Sequence, residues 1–304
     1  MRYSRRFLTL AGMIGITLLV QQSNAGMEKD VFQRMSAEGK SEADVFAYIE
    51  SLSPEALLRL GRELSADPTW AQPASGIEYV TSVILSAYAD KVGRADITSP
   101  LLQEIGDGSL PEKWRRQVLS WLCDKARKPA SESWLDEADA ETIARSLLAV
   151  VTNIQGKIDM RQEANANLTH LLTGRYGLAI KSRPGDNKTI SAIYEEHLKW
   201  LTIKAMDLSF ESGLSSATIT SLSIYERLDV PESSNIKDTL VSAFKRRDKM
   251  ADQDKILLAK VLVESGEGNK IKVDLEDCVQ KIADPGLRRE CRKLLNQLQV
   301  SEVN

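Results

Sequence analysis

Two histidines and three cysteines limit the nitrogen and sulfur chemistry open to this 304-residue chain. His170 and His197 fall on different expected helices, and neither belongs to an H-E-x-x-H motif or to a Cys/His spacing that would hold zinc. Glu195 and Glu196 directly precede His197. Successive helical residues point about 100° apart, so these three do not converge on one site. Each histidine reads as a surface residue or a satisfied core residue. No G-x-S-x-G turn supplies a serine nucleophile. The 43 Asp and Glu leave room for a carboxylate pair acting as general acid and base, but spacing alone singles out no pair.

Three short stretches resemble ligand loops and are better explained otherwise. Gly39-Lys40-Ser41 has the ending of a phosphate-binding loop, yet Arg34 stands where the earlier glycine is required, and Ser41 suits a helix cap. Gly266-Glu267-Gly268 is a lone glycine pair with no strand before it. Asp136, Glu137, Asp139 and Glu141 lack the central glycine of a calcium loop. At a helix start their charges favour the helix dipole instead. The sequence therefore assigns no catalytic, cofactor-binding or metal-ligating residue, and no cofactor.

The cysteines carry one physical argument. Ala283-Asp284-Pro285-Gly286 is a turn sequence, and Cys278 and Cys291 lie equally far from its centre. In an antiparallel helical hairpin such residues share a height on facing helices, so a Cys278–Cys291 disulfide is expected if both side chains face inward. Closing a loop of about 14 residues would contribute roughly 3 kcal/mol in the chain-entropy account. Cys123 is the odd one and reads as a small buried hydrophobe.

The elements that position these residues begin with an export segment. Arg2, Arg5 and Arg6 precede an apolar run from Phe7 to Val20, and Ser23-Asn24-Ala25 supplies small residues for cleavage after Ala25. That layout is a secretory signal peptide. The run falls short of the roughly 20 residues that span a bilayer, so no stable membrane anchor is expected after cleavage. Ser4-Arg5-Arg6-Phe7-Leu8 also resembles a twin-arginine signal, but its spacing is off by one residue and the general route is preferred. The expected location is periplasmic or secreted, a compartment that permits disulfides.

Residues 26–304 then form the body. The signal removes three of the 40 basic residues and none of the 43 acids, taking the net charge from −3 to −6. Arginine pairs at 115–116, 246–247 and 288–289 are scattered, so no nucleic-acid partner is expected. Aromatic residues make up 6% of the chain, which leaves few platforms for stacking on sugars.

Helix signals recur throughout. Ser41 and Asp44 form a capping box before ADVFAYIESL, and Ser53-Pro54 opens EALLRLGREL. Ile77, Val80, Ile84 and Tyr88 share a face, as do Trp114, Val118, Trp121 and Leu122. Ile143, Leu147, Leu148, Val151 and Ile154 are expected on one buried side of a helix over 141–154. Further helices are expected over 158–172, 191–206, 214–228, 235–247, 252–264, 274–282 and 287–298. Residues 256–263, ILLAKVLV, are apolar nearly all round and mark an interior helix. Gly174 to Lys188, with three glycines and a proline, is the candidate boundary between two halves, or else a functional loop.

Short connections between many helices predict an all-α fold of antiparallel pairs stacked as an α-solenoid, with a compact irregular bundle as the alternative. Two stretches, Pro111-Glu-Lys-Trp-Arg115-Arg116 and Pro285-Gly-Leu-Arg288-Arg289, resemble the Pro-then-Arg helix openings of HEAT-like repeats. The resemblance covers only these stretches, and implies a helical-repeat protein.

The expected function is that of an exported non-catalytic scaffold that binds a protein or an envelope component. Two alternatives stand beside it: an envelope enzyme, such as a glycan hydrolase or lyase using a carboxylate pair, and a small-ligand carrier or accessory chaperone.

Overall fold

A computed structural model describes residues 28–30, 32–33, 41–68, 77–93, 96–128, 135–181, 188–206, 214–246 and 250–301. The expected signal segment, residues 1–25, lies outside the described residues. The described chain is all-α, with fourteen α-helices and one 3-10 turn. Among the described residues no helix is long and apolar enough to cross a membrane.

The chain forms two compact units, residues 1–121 and 122–304. In the first, α1 (Glu42–Ser51) and α2 (Pro54–Ala66) begin where their caps place them. Ser41 Oγ accepts the Asp44 N–H at 3.3 Å while the Asp44 carboxylate accepts the Ser41 N–H at 3.2 Å, completing the capping box. Ser53 Oγ accepts the Ala56 N–H, with Pro54 in the first turn, where its missing N–H costs nothing. Helix α3 (Ile77–Val92) packs on both α1 and α2 and buries Ile84 and Tyr88. Helix α4 (Thr98–Gly106), which has no side-chain cap and holds Pro100 within its first turn, is not among the helices expected from the sequence. Helix α5 (Glu112–Ala126) follows Pro111 and carries the chain from the first unit into the second.

The second unit holds α6 (Glu137–Thr152), α7 (Ile158–Arg175), the short α8 (Gly177–Lys181), α9 (Lys188–Met206), α10 (Leu214–Arg227), α11 (Ser233–Lys245) and α12 (Asp252–Glu264). A 3-10 turn (Gly268–Ile271), α13 (Lys272–Lys281) and α14 (Pro285–Ser301) complete it. Its principal packing runs from pair to neighbouring pair. Helix α6 packs on α7, α9 on α10, α11 on α12, and α13 on α14. Between pairs, α6, α9 and α11 touch in succession, as do α7, α10, α12 and α14. Helix α12 buries Ile256, Leu258, Ala259, Val261 and Leu262, as an interior helix must, and leaves Lys260 exposed. Gly266, at φ +81°, ends it with a turn in which the Gly266 N–H reaches Val263 O and the Glu267 N–H reaches Leu262 O.

One expectation is corrected by this arrangement. Ile154 is 71% exposed because α6 ends at Thr152, two residues before the apolar stripe does. Residues 174–181 belong to the second unit. That stretch is held rather than loose. Gly174 is so close to the Arg127 backbone that a Cβ would sit 3.0 Å from its carbonyl oxygen. Arg175, its side chain only 2% exposed, donates to Ala126 O and Leu135 O, each at 3.2 Å, and pairs with Glu137.

Candidate functional site

In the second unit a cluster of buried polar groups surrounds His197. On α7, Asn165 and Thr169 stand four residues apart and face inward; on α10, Ser221 and Tyr225 do the same. His197 Nε2 lies 2.8 Å from Asn165 Oδ1, and Nδ1 lies 2.9 Å from the Tyr225 hydroxyl. The Asn165 amide nitrogen donates to Ser221 Oγ at 3.0 Å. Its carbonyl oxygen therefore faces the imidazole, and an oxygen of that kind only accepts. The proton must sit on His197 Nε2, and Tyr225 must donate to Nδ1. Thr169 Oγ1, 2.8 Å from Ser221 Oγ, also donates to the Asn165 backbone carbonyl at 2.9 Å.

Both ring nitrogens are engaged, and the ring is wholly buried. Tyr225 meets it edge-on at 5.9 Å, and the Trp200 ring stacks at 6.3 Å. Burial pulls the imidazole pKa down to about 3, because a charged ring would lose its hydration without gaining a counter-charge. Chemically this is a neutral, satisfied cluster that joins three helices. Glu195 and Glu196 are exposed, so the sequence triplet splits between solvent and core as helical geometry requires. Alongside, the Tyr194 hydroxyl donates to Glu232 Oε2 at 3.1 Å, and burial with that carboxylate pushes its pKa up.

The first unit has its own buried charge. Glu104, 7% exposed, accepts Arg62 Nε at 2.8 Å on Oε2 and Arg62 Nη2 on Oε1. Trp114 Nε1 donates to the same Oε2 at 2.7 Å. The indole is thereby fixed over Gly61. A carboxylate that holds one guanidinium and one indole ties two helices to a third residue's ring, so this arrangement orders a core.

The other residues singled out by sequence fall as follows. His170 is exposed on α7. Asp136 caps α6 by accepting the Asp139 N–H at 2.8 Å, and Glu137 pairs with Arg175. Gly39 and Lys40 lie outside the described residues, and Ser41 is the cap of α1. Gly268 lies against Leu298. Cys123, Cys278 and Cys291 are all buried, and no bond joins Cys278 to Cys291 in the structure. Burial raises the Cys123 thiol far above its ordinary pKa, which leaves it a poor nucleophile.

One device appears in three separate hairpins. The fourth residue of α5, of α7 and of α14 is an arginine: Arg115, Arg161 and Arg288. Each reaches back to a carbonyl at the C-terminal end of the preceding helix. Arg115 Nε donates to Ile105 O at 2.7 Å, Arg161 Nε to Val151 O at 3.1 Å, and Arg288 Nε to Ile282 O at 2.9 Å. Helix ends leave such carbonyls without partners, and a cation there also favours the dipole. Two of the three belong to the stretches that resemble HEAT-like openings. Arg161 follows no proline and heads no arginine pair, and only a polar residue on an otherwise apolar face could have marked it.

Comparison with protein-family models, with curated proteins and with solved structures finds no match to this chain.

Proposed function

We propose that this chain is an exported helical scaffold, an α-solenoid of HEAT-like pairs, that binds another protein or an envelope component and catalyses no reaction of its own. The observation that carries this reading is the succession of helix pairs in the second unit, each packed on its neighbours. A protein that grows by adding pairs adds continuous outer surface, which is what recognition of an extended partner needs. The arginine device supports the same reading, since α5, α7 and α14 reuse one means of closing a hairpin. Export rests on the basic, apolar and small-residue order of residues 1–25.

The test begins with the mature N-terminus, which should be Gly26 when the chain is recovered from the cell envelope or medium. Crosslinking in that envelope, followed by purification through a C-terminal tag, should then enrich one protein. Ile203 on α9 is an exposed apolar residue, and replacing it with Asp should abolish that enrichment if the partner lies on the row formed by α6, α9 and α11. Retention of glycan or lipid in place of a protein would overturn the scaffold reading in favour of the enzyme or the carrier.

A further inference from the structure

Helices α13 and α14 form the terminal hairpin, and their buried residues repeat in mirror order. On one side are Ile271, Leu275, Cys278 and Ile282; on the other are Leu298, Leu294 and Cys291, with half-buried Leu287 nearest the turn. Each residue of one series stands as far in sequence from the Asp284–Pro285 bond as its counterpart in the other. Equal steps of 1.5 Å per residue from a common turn bring counterparts to a common height.

The turn itself is anchored symmetrically. Asp284 accepts the Leu287 N–H at 2.8 Å, and Arg288 holds Ile282 O. A further contact closes the far end of the hairpin. Leu298 reaches Gly268, one turn ahead of Ile271, so closely that a Cβ there would fall 2.2 Å from Leu298 Cδ2. Cys278 and Cys291 thus lie equally far from the turn on two helices that pack together, and both are buried.

We propose that Cys278 and Cys291 are a disulfide pair that closes this hairpin once the chain meets a disulfide oxidant. The step is thiol–disulfide exchange. One thiol of the pair gives up its proton, and the thiolate attacks the oxidant's S–S bond, forming a mixed disulfide and releasing one thiolate. The second cysteine, also deprotonated, attacks the protein sulfur of that mixed disulfide and expels the other half of the oxidant. Two protein thiols become one disulfide, and one oxidant disulfide becomes two thiols. A glutathione-type disulfide or a protein disulfide of an oxidising compartment supplies the electrons' destination. Cys123 takes no part, being buried on a different helix.

The experiment is refolding of the full chain in a mixture of reduced and oxidised glutathione, so that equilibrium rather than access decides the outcome. The product is alkylated under denaturing conditions and mapped by mass spectrometry without reduction. The expected result is one peptide pair joined through Cys278 and Cys291, a mass lower by about two units, and an alkylated Cys123. Reduction should then speed proteolysis within residues 272–301. Alkylation of both Cys278 and Cys291, or a bond from either to Cys123, would overturn the proposal. Neither result depends on whether the chain is a scaffold.

Discussion

Gly61 on α2 lies beneath the six-membered ring of Trp114 on α5, with no room for a methyl group between them. A Cβ on Gly61 would stand 2.2 Å from Trp114 Cζ3 and 2.4 Å from Cη2. The indole cannot swing aside without breaking its hydrogen bond to Glu104. Gly61→Ala should therefore destabilise the first unit by about 2 kcal/mol, because overpacking exceeds the gain in helix propensity of about 1 kcal/mol. Urea unfolding checks this, with Gly106→Ala, which meets nothing within 4 Å, as the neutral comparison.

The Glu104 carboxylate serves three donors with two oxygens. In Glu104→Gln one of those oxygens becomes an amide nitrogen, which must face a donor from Arg62. The expected cost is about 2 kcal/mol, moderated because the Arg62 side chain is 37% exposed and can turn to water. A smaller loss on Arg62→Ala than on Glu104→Ala would confirm that the carboxylate, rather than the ion pair alone, organises the cluster. Equal losses would place the energy in the pair.

His197 makes stability fall on mild acidification. Its folded pKa of about 3 lies below that of an unfolded histidine, near 6.5, so the unfolded chain binds the extra proton first. The contribution is fully present above pH 6.5 and is lost as the pH falls toward the folded value. Between pH 6.5 and 5 the loss should reach about 2 kcal/mol. His197→Gln, whose amide nitrogen still donates to Asn165, should flatten that part of the profile. An unchanged slope would show that another group governs it.

The three hairpin arginines should differ in cost according to burial. Arg161 is 4% exposed, while Arg115 and Arg288 are half-buried. Arg161→Ala should cost about 2 kcal/mol and Arg288→Ala about 1 kcal/mol. Hydrogen exchange should report the same difference locally, with amides at the end of α6 losing protection in Arg161→Ala. Uniform loss across the chain would instead mark a global role.

Some of this was legible before any coordinates. The starts of α1, α2 and α5 were written in Ser41/Asp44, Ser53-Pro54 and Pro111, because caps and first-turn prolines act within four residues. The bounds of α12 followed from a local apolar pattern that tertiary packing did not alter. Helix α4 is hard to read in the sequence because it has no side-chain cap and its buried apolar residues, Leu101 and Ile105, are few. The end of α6 at Thr152 is not legible in the sequence, because Ile154 continues the periodicity after the backbone has turned.

The sequence by itself determined an all-α chain, most of its helices and the mirror spacing of Cys278 and Cys291, since all of these depend on residues near one another. Only the tertiary structure decided that His197 pairs with Asn165 and Tyr225, that Trp114 covers Gly61, and that residues 174–181 are bound into the second unit. Those outcomes depend on which helices lie side by side. A polar residue on an apolar face shows that it must find a partner, and the packing of other helices decides which one.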